Sequence, residues 1–290
     1  RLSPTQPRSR YLFCESALGR LHSSQGNAEG ARRYLAQAVS HSPNHVEARI
    51  LLGRVCTLLQ DWKQGETHLK HALRLPGGRI AETWASLAWI SLARGKGNQA
   101  YLRSRKALKL DVGCALAHLT QAVVLLDKNN YSGASTALQQ AKATGPETGV
   151  VHFVQAQLCA ATGDVAQARN EYQEAVNWPD VRPEIVYREL HALADNIEDR
   201  IECLEKILAY EPTNTAVSKR LIRLYLSAGH LDAARDKLER IQGSPGADTD
   251  ARISMLWGDY HVLRRDLTQA IAAYEAASRA AAGEGGLSSK

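Results

Sequence analysis

The chain has 290 residues, 44% apolar and 23% charged, with a formal net charge of +6, so it can bury a large core without metal or disulfide staples. Two phenylalanines and abundant alanine favour close-packed helices over a sheet sandwich. No apolar stretch approaches the roughly 20 residues that span a bilayer, and five scattered cysteines without a C-x-x-C pair argue against a disulfide framework or zinc knuckle; the expectation is a soluble chain in a reducing, cytoplasmic setting.

From the N-terminus, residues 1–11 read as a flexible segment. A repeat then begins. The stretch from Glu15 to Asn44 lines up without a gap on that from Arg49 to Gly78, at a spacing of about 34 residues: Leu18 and Gly19 fall on Leu52 and Gly53, Leu35 on Leu69, Ala38 on Ala72. Carried along the chain, the frame gives units 12–45, 46–79, 81–114, 115–148, 149–182, 183–214, 215–248 and 251–284, with 285–290 as a tail.

The eighth position of a unit is small in Gly19, Gly53, Ala88, Ala122, Ala156 and Gly258, and the twentieth in Ala31, Gly65, Ala100, Ala134, Ala168, Ala234 and Ala270. Position 24 supplies a larger plug: Leu35, Leu69, Leu138, Tyr172, Leu204, Leu238 and Tyr274. Prolines such as Pro43, Pro76, Pro146, Pro179 and Pro212 end the second half of each unit.

This pattern resembles the tetratricopeptide repeat, which implies an all-α, right-handed superhelical solenoid of helix-turn-helix units. Small residues at positions 8 and 20 let the two helices approach closely. Unit 6 departs from the pattern. It is two residues short between Leu193 and Ile197 and has Arg200 at its crossing, so its helices are expected to splay.

No phosphate-binding glycine loop, nucleophile elbow or H-E-x-x-H helix occurs. The reading is therefore a non-enzymatic chain with no catalytic residue, cofactor or metal. His118 and His152 stand where the family prefers Trp, and His22 and His261 where it prefers Tyr, so packing roles are expected. His68 and His71 lie three apart on one helix, but two ligands without a third make a weak metal site. Cys56 and Cys159 also occupy the Tyr position and read as buried small hydrophobes.

In the resembling family, positions 2, 5, 9 and 12 of the first helix commonly meet the ligand on the concave side. Here they give basic ends, with Arg20 and Arg54, then Lys219 and Arg223, and a middle of Trp89, Leu92, Leu116, Leu119, Val123, Leu126, Val150, Phe153, Tyr187 and His191. The apolar members are candidate anchors for a partner's helix or extended peptide, acidic at its ends. The alternative is that neighbouring helices bury them. Within "AVVLL", Ala122 and Leu125 are expected inside the unit, Val123 and Leu126 in the groove. The ninth position never holds Asn, unlike the chaperone-binding members of the family.

A second candidate surface is the basic convex patch Arg103, Arg105, Lys106 and Lys109. The last unit, with nothing helical expected beyond its glycines, would expose a face on which another chain can stack. Together these readings describe a protein-binding scaffold or adaptor in a multiprotein assembly. The alternatives are a nucleic-acid-associated adaptor using the basic patch and the recognition arm of a larger enzyme.

Overall fold

A computed structural model describes residues 27–243 and 250–287. Residues 1–11, Arg20 and the rest of the first half of unit 1 lie outside them. The described residues form fifteen α-helices in two bodies. In the first (Arg1–Asp164) lie α1 (Ala28–His41), α2 (Val46–Leu58), α3 (Trp62–Ala72), α4 (Ala81–Ala93), α5 (Gly97–Leu110), α6 (Ala115–Asp127), α7 (Tyr131–Thr144) and α8 (Gly149–Thr162). The second (Val165–Lys290) holds α9 (Val165–Val176), α10 (Pro183–Leu193), α11 (Ile197–Tyr210), α12 (Thr215–Ala228), α13 (Leu231–Gln242), α14 (Ala251–Leu263) and α15 (Leu267–Leu287).

Side-chain caps start many of these helices. Asn27, Asp61, Asn130, Asn196 and Asn214 each accept from the backbone N–H three residues on, at 2.7–3.2 Å, which satisfies a donor that the helix leaves open. The turn between the two helices of a unit is also uniform. One residue adopts positive φ at Gln60, Gly95, Asn129, Gly163, Gly229 and Arg265, and the next N–H reaches back to the first helix: Asp61 to Cys56, Lys96 to Ser91, Asn130 to Leu125, Asp164 to Cys159, His230 to Tyr225 and Asp266 to His261, at 2.8–2.9 Å. This Schellman-type closure caps the first helix and turns the chain into the second.

Within each body consecutive helices pack on one another, and first helices also pack on the first helix of the next unit, as α2 does on α4, α4 on α6 and α12 on α14. The crossings are tight where the sequence is small. Ala88, Ala100 and Ala122 are fully buried, and the plugs Leu35, Leu69, Leu138 and Leu238 are no more than 1% exposed. At the α2–α3 crossing the partners are Gly53 and Gly65, where an added Cβ would stand 3.3 Å and 3.0 Å from the other residue's carbonyl oxygen.

Two regions depart from the repeat. Unit 6 has no positive-φ residue at its turn; the two missing residues are those that would build it. Arg169 Nε instead donates to the Leu193 carbonyl at 3.1 Å, and Arg200 Nε to that of Ala194 at 3.2 Å. The crossing is correspondingly open, for Leu190 is half-buried, Arg200 is exposed, and α10 buries only Glu184 and Val186. At the C-terminal end α15 continues as helix through the glycines to Leu287, beyond the stop expected from the sequence. The plug Tyr274 is 38% exposed there, because no further helix covers it among the described residues.

Candidate functional site

In the first body the first helices α4, α6 and α8 stand side by side. Helix α6 is apolar nearly all round, and no side chain from Ala115 to Leu126 is exposed, because α4, α5, α7 and α8 surround it. Trp89 of α4, Val123 and Leu126 of α6 and Val150 of α8 are half-buried, packed against one core cluster that contains Leu119, Ala122, Leu138, Val151, Val154 and Leu158. Each keeps part of its surface outside, as Leu125 and Tyr131 do against the same cluster; the four belong to first helices, and their outer surfaces are the candidate apolar strip.

The other expected anchors divide. Leu119 is only 7% exposed and lies within the core cluster itself, so it is a packing residue and not a groove anchor. Val124, at 1% exposure, fills the interior place expected for Leu125, which is half-buried. Leu116 packs with Ala85, Ala107 and Ala117 in a separate cluster. Leu92 and Phe153 are half-buried.

Two of the four expected basic residues are neutralised within the chain. Arg54 pairs with Glu82 across two units, and Lys219 with Asp250 in the second body. Neither is a bare cation waiting for an acidic partner. Arg223 is exposed. Tyr187, on α10, packs against the second body's core cluster, and burial raises its hydroxyl pKa. Burial, with Arg200 and Arg220 adding to it, lowers the His191 pKa.

Arg103 of the basic patch also turns inward. Its guanidinium donates to the Leu87 carbonyl at 3.0 Å, to Ser91 Oγ at 2.6 Å and to Glu66 at 3.3 Å. Arg105, Lys106 and Lys109 remain exposed. Among the described residues, no group of three or more His, Cys, Asp or Glu is placed to hold a metal, and no helix is long and apolar enough to cross a membrane. A feature missed in the sequence is a cavity of about 440 Å³ lined by Glu198, Asp199, Glu202 and Glu205 of α11 with Tyr225 and His230. The helical recurrence of four acids at i, i+1, i+4 and i+7 was the available signal.

One model of the tetratricopeptide repeat matches residues 23–90 and 197–256, and a second such model matches 119–181. The chain belongs to the tetratricopeptide repeat family. Its paired, stacked helices also match solved tetratricopeptide structures. The type IV pilus biogenesis factor PilW is 15% identical with a TM-score of 0.54, over 72% of this chain and 98% of that one. PilF of Pseudomonas aeruginosa is 18% identical with a TM-score of 0.51, over 72% and 96%. The human IFIT1 dimer with PPP-AAAA is 16% identical with a TM-score of 0.51, over 91% and 68%. At these identities the likeness is one of fold. No curated protein matches the sequence. Tetratricopeptide proteins typically serve as protein-interaction modules and usually without catalysis.

Proposed function

We propose that this tetratricopeptide chain is a non-enzymatic scaffold that holds a helix or extended segment of a partner protein on the first-helix strip of its N-terminal body, as one subunit of a multiprotein assembly. The observation that carries this reading is the convergence of Trp89, Val123, Leu126 and Val150 on one cluster. Half-buried apolar side chains on a fixed base lose little rotamer freedom on binding, so their remaining surface is well suited to act as an anchor. Leu92 and Phe153 extend the strip along α4 and α8. The partner's contact with this strip is apolar, and the half-exposed Arg54–Glu82 pair, already matched within the chain, adds little to affinity.

The test is a double substitution, Val123→Glu and Leu126→Glu, in the full chain. Partners are recovered from the source cells with the wild-type chain, identified, and their affinity measured against both forms. A folded variant with the helical signal of the wild type is expected to lose at least about a hundredfold in affinity, from two desolvated carboxylates in an apolar contact. A folded variant that binds as the wild type does would place the site elsewhere.

A further inference from the structure

The two bodies carry opposite charge. Residues 1–164 hold 20 Lys and Arg against 10 Asp and Glu, whereas residues 165–290 hold 16 against 20. The net +6 is thus a +10 body joined to a −4 body, an asymmetry that the overall value hides.

In the first body the excess is most concentrated on α5, which contains no Asp or Glu. Ala100, Ser104 and Ala107 form its buried face. Spacings of three and four residues place Leu102, Arg105, Lys106, Lys109 and Leu110 together on the opposite, exposed face. Arg105, Lys106 and Lys109 have no ion-pair partner among the described residues. Leu102 and Leu110 are 59% and 56% exposed, and Val112, just past the helix, is 76% exposed. The acid that follows, Asp111, accepts from the Gly113 N–H at 2.9 Å.

We propose that this face of α5 docks on an anionic lipid surface. Cations alone would fit any polyanion. Large aliphatic side chains interleaved with them fit a surface that offers both negative headgroups and an acyl boundary. Single-stranded RNA fits less well, because its bases stack on bare aromatic faces. The two aromatics beside the strip are capped: Lys106 lies 4.6 Å over the Trp84 ring and Lys128 lies 5.7 Å over that of Tyr101. The face lies on a second helix, away from the Trp89–Val150 strip on the first helices, so a chain held at a membrane keeps that strip free for its partner.

The test is co-sedimentation of the full chain with vesicles of phosphatidylcholine and phosphatidylserine (about 70:30) and with phosphatidylcholine alone, at low salt. Binding is expected only to the anionic vesicles. Each cation contributes about fivefold, so the triple variant Arg105→Gln, Lys106→Gln, Lys109→Gln should bind roughly a hundredfold more weakly. Leu102→Ser with Leu110→Ser, which keeps every charge, should lose about tenfold or more. All five side chains are exposed, and circular dichroism checks that both variants fold. Equal sedimentation with the two vesicle types, or a leucine variant that binds as well as wild type, overturns the proposal. Polyuridine bound more tightly than anionic vesicles would assign the face to nucleic acid and also overturn it. Self-association without lipid that the triple variant abolishes would assign it to the acidic body of a second copy, with the same consequence.

Discussion

Gly53 of α2 and Gly65 of α3 meet backbone to backbone, with room for no side chain between them: a Cβ on Gly53 would stand 2.6 Å from Leu69 Cγ, and one on Gly65 3.0 Å from the Gly53 carbonyl oxygen. Leu69 is fully buried and cannot swing into solvent. Gly53→Ala therefore forces the helices apart or Leu69 off its rotamer, and is expected to cost about 1–3 kcal/mol in urea unfolding. Gly97→Ala is the control. Nothing lies within 4 Å of a Cβ there, so it should leave stability unchanged within about 0.5 kcal/mol or raise it.

The positive-φ turns give a prediction of opposite sign. Gly163 and Gly229 occupy the left-handed region at the same place in their units as Gln60, Asn129 and Arg265. A side chain there strains against the backbone, least for Asn and most for the longer residues. Arg265→Gly and Gln60→Gly should each raise the unfolding free energy by about 0.5–1 kcal/mol, whereas Gly229→Ala should lower it by about 1 kcal/mol or more. Equal effects at the two kinds of position would show that the turn is not under conformational strain.

These turns mark where the sequence stops being legible. The period, the small crossing residues and the plugs are properties of residue size, and one chain repeats them often enough to be read without coordinates. A left-handed Gln60 or Arg265 carries no such mark, because neither residue type prefers that conformation. The strip was legible in part for a similar reason. Positional rules place Val123 and Leu119 on one side of α6, but only the packing of α4 and α8 around it decides that Leu119 is closed over while Val123 is not. Arg103 looked like a member of a basic surface because Ser91 and Glu66, which draw it inward, are far from it in sequence.

Glu66 links units 2 and 3, accepting from Lys70 at 2.9 Å, Arg94 at 2.5 Å and Arg103 at 3.3 Å. Burial alone would raise its carboxyl pKa, but the bonds from Lys70 and Arg103 outweigh it and hold the group below the usual carboxylate range. A depressed carboxylate contributes stability that is complete above the unfolded value of about 4.3 and is lost as pH falls through the lower folded value. Glu66→Gln is expected to cost about 1–3 kcal/mol at neutral pH and to make the fall in stability below about pH 4.3 shallower. Unfolding free energies of both proteins at pH 7, 5, 4 and 3 check this. A constant difference across that range would mean that folding leaves the Glu66 pKa unshifted and that its carboxylate gains no net stabilisation in the folded chain.

In unit 6 two arginines do what a turn does elsewhere. The Schellman-type bonds that end α2, α4, α6, α8, α12 and α14 have no counterpart at α10, whose last carbonyl, Leu193, accepts from Arg169 Nε at 3.1 Å. Arg169 also pairs with Asp195 at 2.7 Å, so one side chain on α9 both caps α10 and holds the second residue beyond its end. Removing it leaves a helix end without its partner. Arg169→Ala should lower stability by about 1–2 kcal/mol, and its effect should be local: amide exchange should quicken from Tyr187 to Arg200 while α12 to α14 keep their protection. Arg169→Lys keeps the charge but not the fork that reaches Leu193 and Asp195 together, so it should recover the Asp195 contact and little of the protection of α10. Full recovery by Lys would show that charge alone matters at this turn, and that the missing residues of unit 6 are replaced by electrostatics instead of by a hydrogen-bonded cap.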